Sequence, residues 1–391
     1  NRSVFSSISF SAQGGPHMNA LPFSTSEYQA RLKRVKERMS EEGLDAIILT
    51  RAQNIYYLSG YRAAVMNWTL PLLALVIPLE GEMRFMTRLI ESATADTQLA
   101  PKPRKYMDHE NPYAILAELV EQSGVISSQI GVEESFLSAF QLNQIRKALP
   151  SATLHDASWL VERIRITLST QEVVYFKKAA AMTNIGFSRG LQTIKPGVHA
   201  YQVIGEMQNA MYQAGQSDVE VTKMWIWSGP QGGLMHDTAV TRRMEQDDLA
   251  TVEVWGTDCQ YLVGAQGTVY FGNRPPRDFS ENQKLVADMY LAAKEALKPG
   301  AISGDAYRAA NKVYRAKKGV DYWRRVGSNM GLTFGPMDMG MNGKDVIEPW
   351  TPFILQLVEV KPALVTCCST VLVTDAGVEE LTPPLLELKC I

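Results

Sequence analysis

The sequence predicts an α/β N-terminal domain followed by a larger α+β domain built from two pseudo-symmetric halves. Three observations carry this reading. Strand-like and helix-like segments alternate from Ser24 to Asp156, the pattern of a layered α/β domain. Beyond Asp156 a helix–Lys-Pro-Gly–helix unit occurs twice, at Ile194-Lys195-Pro196-Gly197 and at Leu297-Lys298-Pro299-Gly300. Each copy is followed by strand-rich sequence, which points to an internal duplication.

Taken in order, residues 1–17 read as an expression-tag-like leader, with Gly15-Pro16-His17 just before Met18. They are set aside from fold reasoning. Ser24-x-x-Glu27 has the capping-box pattern, with Phe23 placed to act as a hydrophobic staple, and a helix is expected over Tyr28–Gly43. Asp45–Thr50 reads as a buried strand, Ile55–Leu58 as a short apolar unit before Gly60, and Leu72–Ile77 as a third apolar unit. Ile130–Val132 and Thr153–Leu154 flank a helix at Phe136–Leu149, which closes a first domain of residues 18–156. His109 and His155 lie in polar company, as surface or strand-end histidines do.

The second domain, residues 157–391, opens with a long connecting helix region over Trp159–Ala181. In the first copy of the repeat the helices are Val174–Leu191 and Ala200–Ala214. In the second they are Glu281–Leu297, capped by Ser280-x-x-Gln283, and Gly304–Ala316. Ala250–Trp255, Gln260–Gly272, Phe353–Val360 and Val371–Thr374 read as strands. A cleft at the junction of two such halves would collect side chains from all four.

Composition narrows the function classes. The 391 residues are about two domains' worth, and 46% hydrophobic content supplies a large core. A net charge of −2 gives no electrostatic case for nucleic-acid or membrane surfaces. The longest apolar run, Leu70–Pro78, falls short of the ~20 residues needed to span a bilayer. Cys259, Cys367, Cys368 and Cys390 show no C-x-x-C spacing and read as reduced intracellular thiols. A cytoplasmic location is the default expectation.

The chemistry concentrates between Trp225 and Gly272. His236 stands in a Gly- and Trp-rich loop and can carry a proton near neutral pH. Glu253 and Glu359 sit mid-strand among valines, where a charged group needs a partner or a raised pKa. Gln266 can both donate and accept hydrogen bonds. Trp225, Trp227 and Phe334 can wall an apolar pocket, or pack in the core. Met330, Met337, Met339 and Met341 form a soft, adaptable stretch suited to an apolar substrate. Arg324, Arg325 and Lys361 are either substrate-carboxylate ligands or solvated surface charge.

The repeat, the strand spacing, the opening FSTSEYQARLKRVKERMSEEGLDAIILTRAQNIYYLSGY and the W-x-W-x-S-G stretch ending in His236 resemble the creatinase, prolidase and methionine aminopeptidase superfamily. The likeness runs from Phe23 to Thr382 and is greatest to creatinase. It implies a small α/β domain followed by a pita-bread catalytic domain. In the metallopeptidase branch two metals are held by two Asp, one His and two Glu; here those positions read Glu253, Gly264, Ser328, Glu359 and Cys368. A two-metal site is not expected on that set, and no cofactor is implied. The creatinase pattern implies His236 as the general acid/base. It places Gln266 and Glu359 at two substrate-clamping glutamates, Ser328 at a second histidine, and Met339 at a substrate arginine. A further arginine comes from the partner subunit, near Trp68 to Pro71 in this chain, with Arg62 the nearest candidate. The resemblance thus implies a homodimer and a small-molecule substrate. The expected reaction is metal-independent C–N bond hydrolysis on a small amine, amidine, amide or amino-acid-derived molecule. Elimination, cyclisation or rearrangement at the same site, a metal-dependent Xaa-Pro-type aminopeptidase, and an inactive pita-bread binding protein are the alternatives.

Overall fold

Ser24 opens the first helix, α1 (Thr25–Glu41), by accepting the Glu27 amide at 3.2 Å. Phe23 packs edge-on against Tyr28, with ring centroids 5.9 Å apart, so the staple forms between the residue before the cap and the fourth helical residue. This is a computed structural model describing residues 21–62, 72–92, 103–216, 223–230, 232–237 and 241–391. The tag-like leader and Trp68 to Pro71 lie outside the described residues. The chain divides into two units, Asn1–Ala157 and Ser158–Ile391.

In the first unit, β1 (Ala46–Leu49) leads into α2 (Ala52–Ser59), so the apolar unit Ile55–Leu58 is helical. Two features outside that tetrapeptide make it so. The buried Glu133 carboxylate accepts the amides of Thr50 and Arg51 at 2.5 and 2.7 Å, ahead of the helix, where an anion offsets unpaired N–H groups. Gly60, at φ +71°, ends the helix in the left-handed region. The unit continues with β2 (Ala74–Pro78), β3 (Arg84–Arg88), β4 (Arg104–Tyr106), α3 (Pro112–Gln122), β5 (Gln129–Val132), α4 (Ala139–Ala148) and β6 (Thr153–Asp156). Its sheet runs β4-β3-β2-β1-β5-β6, with β1 antiparallel to β2 and parallel to β5. Ile48, Val76, Met86, Leu116 and Val132 make its core. His109 and His155 are exposed.

The second unit starts with α5 (Leu160–Ile164) and α6 (Thr170–Thr193), so the long helix expected from Trp159 is broken. Ser169 and Glu172 close a capping box, with bonds of 3.2 and 2.7 Å, and start a new helix there. Next come α7 (Ala200–Gln213), β7 (Lys223–Gly229), β8 (Leu249–Asp258) and β9 (Tyr261–Tyr270). The second half repeats that order: α8 (Arg277–Ala296), α9 (Ser303–Lys318), β10 (Gly327–Asn329), β11 (Thr351–Glu359) and β12 (Val365–Thr374). Helix α8 begins before the expected Ser280 cap, behind Pro276.

The duplication is visible in backbone hydrogen bonds. Gly197 N bonds Met244 O, and Gly300 N bonds Ile347 O, both at 2.8 Å. The two pairs share one displacement of 103 residues (300 − 197 and 347 − 244). His199 and Ile302, which stand at equivalent places after the two Lys-Pro-Gly turns, each form an isolated bridge, to Arg243 and Val346. The sheet order β10-β11-β12-β9-β8-β7 is accordingly mirrored about the β12·β9 junction.

Strand alternation then gives the sheet two faces. Val252, Val254, Ala265 and Val269 pack with Phe187, Val203 and Met207 of α6 and α7. Leu355, Leu357, Val365 and Cys367 pack with Val286, Tyr290 and Ala310 of α8 and α9. The intervening residues of the same strands occupy the opposite face, and that is where the polar side chains gather.

Candidate active site

One cross-strand row organises the polar face. Trp225 pairs with Glu253, and Glu253 with Gln266. Gln356 pairs with Cys368, and the pairing of Cys367 with Gly267 sets Cys368 beside Gln266. The row therefore reads Trp225, Glu253, Gln266, Cys368, Gln356 across β7, β8, β9, β12 and β11.

Its hydrogen bonds run in one direction. The Arg324 Nη2 donates to Gln356 Oε1 at 2.5 Å, and Arg324 Nη1 donates to the Gln356 carbonyl at 2.8 Å. The Gln356 Nε2 donates to Gln266 Oε1 at 2.9 Å, and Gln266 Nε2 donates to Glu253 Oε2 at 2.6 Å. The other carboxylate oxygen, Oε1, accepts from Trp255 Nε1 at 2.6 Å. Arginine can only donate, so Gln356 turns its oxygen to Arg324 and its amide nitrogen to Gln266, and Gln266 repeats the choice toward Glu253. The direction is forced by the two ends.

Glu253 is 4% exposed. Burial pushes its carboxyl up to about 7, against the opposing pull of the Trp255 bond, the Arg324 charge and the Gln266 bond. Desolvation wins because it penalises only the charged form. Burial likewise holds the Cys368 thiol well above its ordinary value, so it stays a neutral thiol.

His236 stands at the β7 end of the face. Its ring lies edge-on to Trp227 and Trp225, 5.7 and 6.5 Å between centroids. The two indoles stack at 6.4 Å, and Trp227 Nε1 donates to the Asp237 carbonyl at 3.1 Å. His236 is exposed and has φ +66°, a left-handed conformation costing a side-chain-bearing residue about 1 kcal/mol or more. A loop that holds a histidine in this state and aims it over two tryptophans has the marks of a functional position.

The other expected site residues divide into two groups. Phe334 packs edge-on to Trp255, centroids 5.4 Å apart, and Ser328 in β10 is registered opposite Ile354; both belong to the polar face. Glu359, expected to converge with Glu253, does not. It is three residues from Gln356 and so falls on the helix side of the sheet, where Lys318 of α9 pairs with it at 3.3 Å. Its Oε1 also accepts the amides of Val360 and Lys361. Met339, expected at a substrate-arginine position, is fully buried in the core beneath α8 and α9 together with Met337. These two methionines fill space between helices and sheet instead of lining a pocket. Arg62 is an exposed residue of the first unit. Gln356 was missed: a lone amide between Leu355 and Leu357 draws less notice than a carboxylate three residues on, although its parity with Cys368 marks the polar face.

The residues present do not fit a two-metal centre. A Cβ at Gly264 would lie 2.7–2.8 Å from the Trp255 ring and Ile354 Cδ1, so an indole fills the space a second carboxylate would need. Glu253 is enclosed by two hydrogen-bond donors, Ser328 and Gln356 are neutral, and Cys368 is a buried thiol. Hard and borderline cations need an anionic oxygen or imidazole cage, and among the described residues no cluster of three or more His, Cys, Asp or Glu is placed to hold an ion.

The sequence matches the Creatinase/Prolidase N-terminal domain over residues 31–167 and Metallopeptidase family M24 over residues 175–353. It is 26% identical to an uncharacterised hydrolase/peptidase of Sinorhizobium fredii, covering 95% of this chain and 99% of that one. A creatinase of a Bacillus species is 24% identical over 75% of this chain and 72% of its own. In fold it is similar to a prolidase from Thermococcus sibiricus, with TM-score 0.85 and 17% identity, covering 94% of this chain and 100% of that one. The chain belongs to the creatinase/prolidase superfamily of pita-bread hydrolases.

Proposed function

We propose that the protein hydrolyses a C–N bond in a small amide, amidine or amino-acid-derived substrate without a metal pair, with His236 as the proton carrier. The observation that carries this is the row from Glu253 to Gln356, in which Glu253 is met by two hydrogen-bond donors and an indole fills the space over Gly264, a metal-ligand position in the metallopeptidase branch. His236 takes a proton from water as the water oxygen bonds to the substrate carbon, and returns it to the leaving nitrogen as the C–N bond breaks. Such help is worth ~10²–10⁴-fold in rate. Glu253, half-protonated near neutral pH, and the Gln266 amide present hydrogen-bonding groups to the polar part of the substrate. The amide at Gln266, where the creatinase pattern has a substrate-clamping glutamate, removes a charge that would hold a guanidinium, which favours a less cationic substrate than creatine. Trp225, Trp227, Trp255 and Phe334 supply apolar walls.

Turnover of small amides, amidines and Xaa-Pro dipeptides, measured with and without chelator, tests the reading. The expected result is chelator-insensitive hydrolysis that drops ~10²–10⁴-fold in His236→Ala and that incorporates one oxygen from labelled water. Full turnover by His236→Ala would sink it, and product without label would reassign the reaction to elimination, cyclisation or rearrangement. Structural neighbours named as an Xaa-Pro dipeptidase and prolidases favour a second reading, a metal-dependent Xaa-Pro peptidase, which predicts stoichiometric metal and loss of activity with chelator. No conversion in any arm would favour a binding protein. The same proposal includes a cytoplasmic homodimer in which Trp68 or Arg62 of a partner completes the site, checked by solution mass. No described helix is long and apolar enough to cross a membrane.

A further inference from the structure

We infer that Arg324 selects a substrate bearing a carboxylate, docking it at the Gln356 end of the row. The inference rests on the hydrolase reading above and names the substrate class of that site. Arg324 is half-buried. Its guanidinium carries five N–H donors, and Gln356 engages it through its carbonyl and Oε1. That anchorage fixes the fork in one orientation while leaving donors over for a planar anion, the arrangement guanidinium–carboxylate recognition uses. Among the described residues, no carboxylate forms an ion pair with Arg324: nearby Asp321 is taken by Arg315, and Glu359 by Lys318 on the other face. Glu253 is separated from Arg324 by two amides. The row thus offers one fixed positive charge, then two neutral amides, with the Glu253 carboxyl at the far end. A cation would be repelled there, whereas a small carboxylate gains a charge-assisted fork and leaves its amide end to Gln266 and Glu253.

The test is a binding titration of the full chain with small N-acyl amino acids and their matching C-terminal amides, read by quenching of the tryptophan fluorescence. Wild type is expected to bind at least one carboxylate about tenfold or more tightly than its amide. Arg324→Gln should weaken the carboxylate about 10- to 100-fold, the range for losing charge-assisted hydrogen bonds, leave the amide unchanged, and be partly rescued by Arg324→Lys. The carboxylate-to-amide ratio in wild type stands even if a variant fails to fold. The inference is overturned if no carboxylate outbinds its amide, or if Arg324→Gln weakens both equally. The titration in His236→Ala separates the two claims. Lost turnover with retained carboxylate preference supports both. Retained turnover refutes the proton-carrier role alone, and lost preference in wild type refutes the Arg324 assignment alone.

Discussion

Replacing Gly264 by alanine tests the claim that an indole has taken the space of a metal ligand. The new Cβ would stand 2.7–2.8 Å from two Trp255 ring carbons and Ile354 Cδ1, where carbon–carbon contacts settle near 3.5–4.0 Å. The ring must therefore move by about 1 Å, but it is held at 2.6 Å to Glu253 through Nε1. Overpacking of this kind costs about 1–3 kcal/mol. If the ring swings away, the loss of its bond to Glu253 adds about 1.5–3 kcal/mol. With both costs, urea denaturation should show Gly264→Ala destabilised by about 2.5–6 kcal/mol at unchanged m-value. In a Trp255→Leu background the same change should cost less than about 1 kcal/mol, a coupling above about 1 kcal/mol in the double-mutant cycle. Equal costs in the two backgrounds would refute the reasoning, because the indole would then not be what fills the space.

Two further outcomes follow from the site's electrostatics. Because the folded-state pKa of Glu253, about 7, lies above its unfolded value, the folded chain holds the extra proton between about pH 4.5 and 7. Stability should therefore fall as pH rises through that window, by up to about 1.4 kcal/mol per pH unit, and level off above it; a Glu253→Gln variant that keeps the same slope would assign the effect elsewhere. Glu359→Gln should lower stability by about 1.5–3 kcal/mol through loss of the charge that its buried carboxylate brings to the Lys318 pair, while leaving kcat/KM at the wild-type value; a large kcat/KM loss would return Glu359 to the site.

The repeat was legible because helices and turns advertise themselves locally. The two Lys-Pro-Gly turns predict paired helices on their own, and the matching bonds at Gly197 and Gly300 are the same turn folded twice. The first unit's helix α2 was not legible, since the carboxylate that binds the amides just ahead of it is Glu133, some eighty residues on. The site shows the same division. Glu253 is marked by its charge among valines in a strand, whereas Gln266 is marked only by its place in the creatinase pattern. Glu359 stands out by its charge and its family position, yet a strand assigns faces by parity, and the three residues that separate it from Gln356 put the two side chains on opposite faces. Trp255 drew no attention because an aromatic residue in a strand reads as core packing. Only the bare Cα at Gly264, opposite it in register, reveals which space the indole occupies.

These features constrain one another. A carboxylate in the middle of a buried strand is costly unless it is paired or neutral. The row answers that cost in two ways: donors from Trp255 and Gln266, and a carboxyl pushed up to about 7. Gln266 can donate to Glu253 only if its oxygen finds a donor in turn, which Gln356 provides, and Gln356 is turned by Arg324. Trp255, the two glutamines and Arg324 therefore depend on one another. Placing a carboxylate at 266 or 356 would set like charges in contact or neutralise the guanidinium, and either change would undo the direction of the remaining hydrogen bonds.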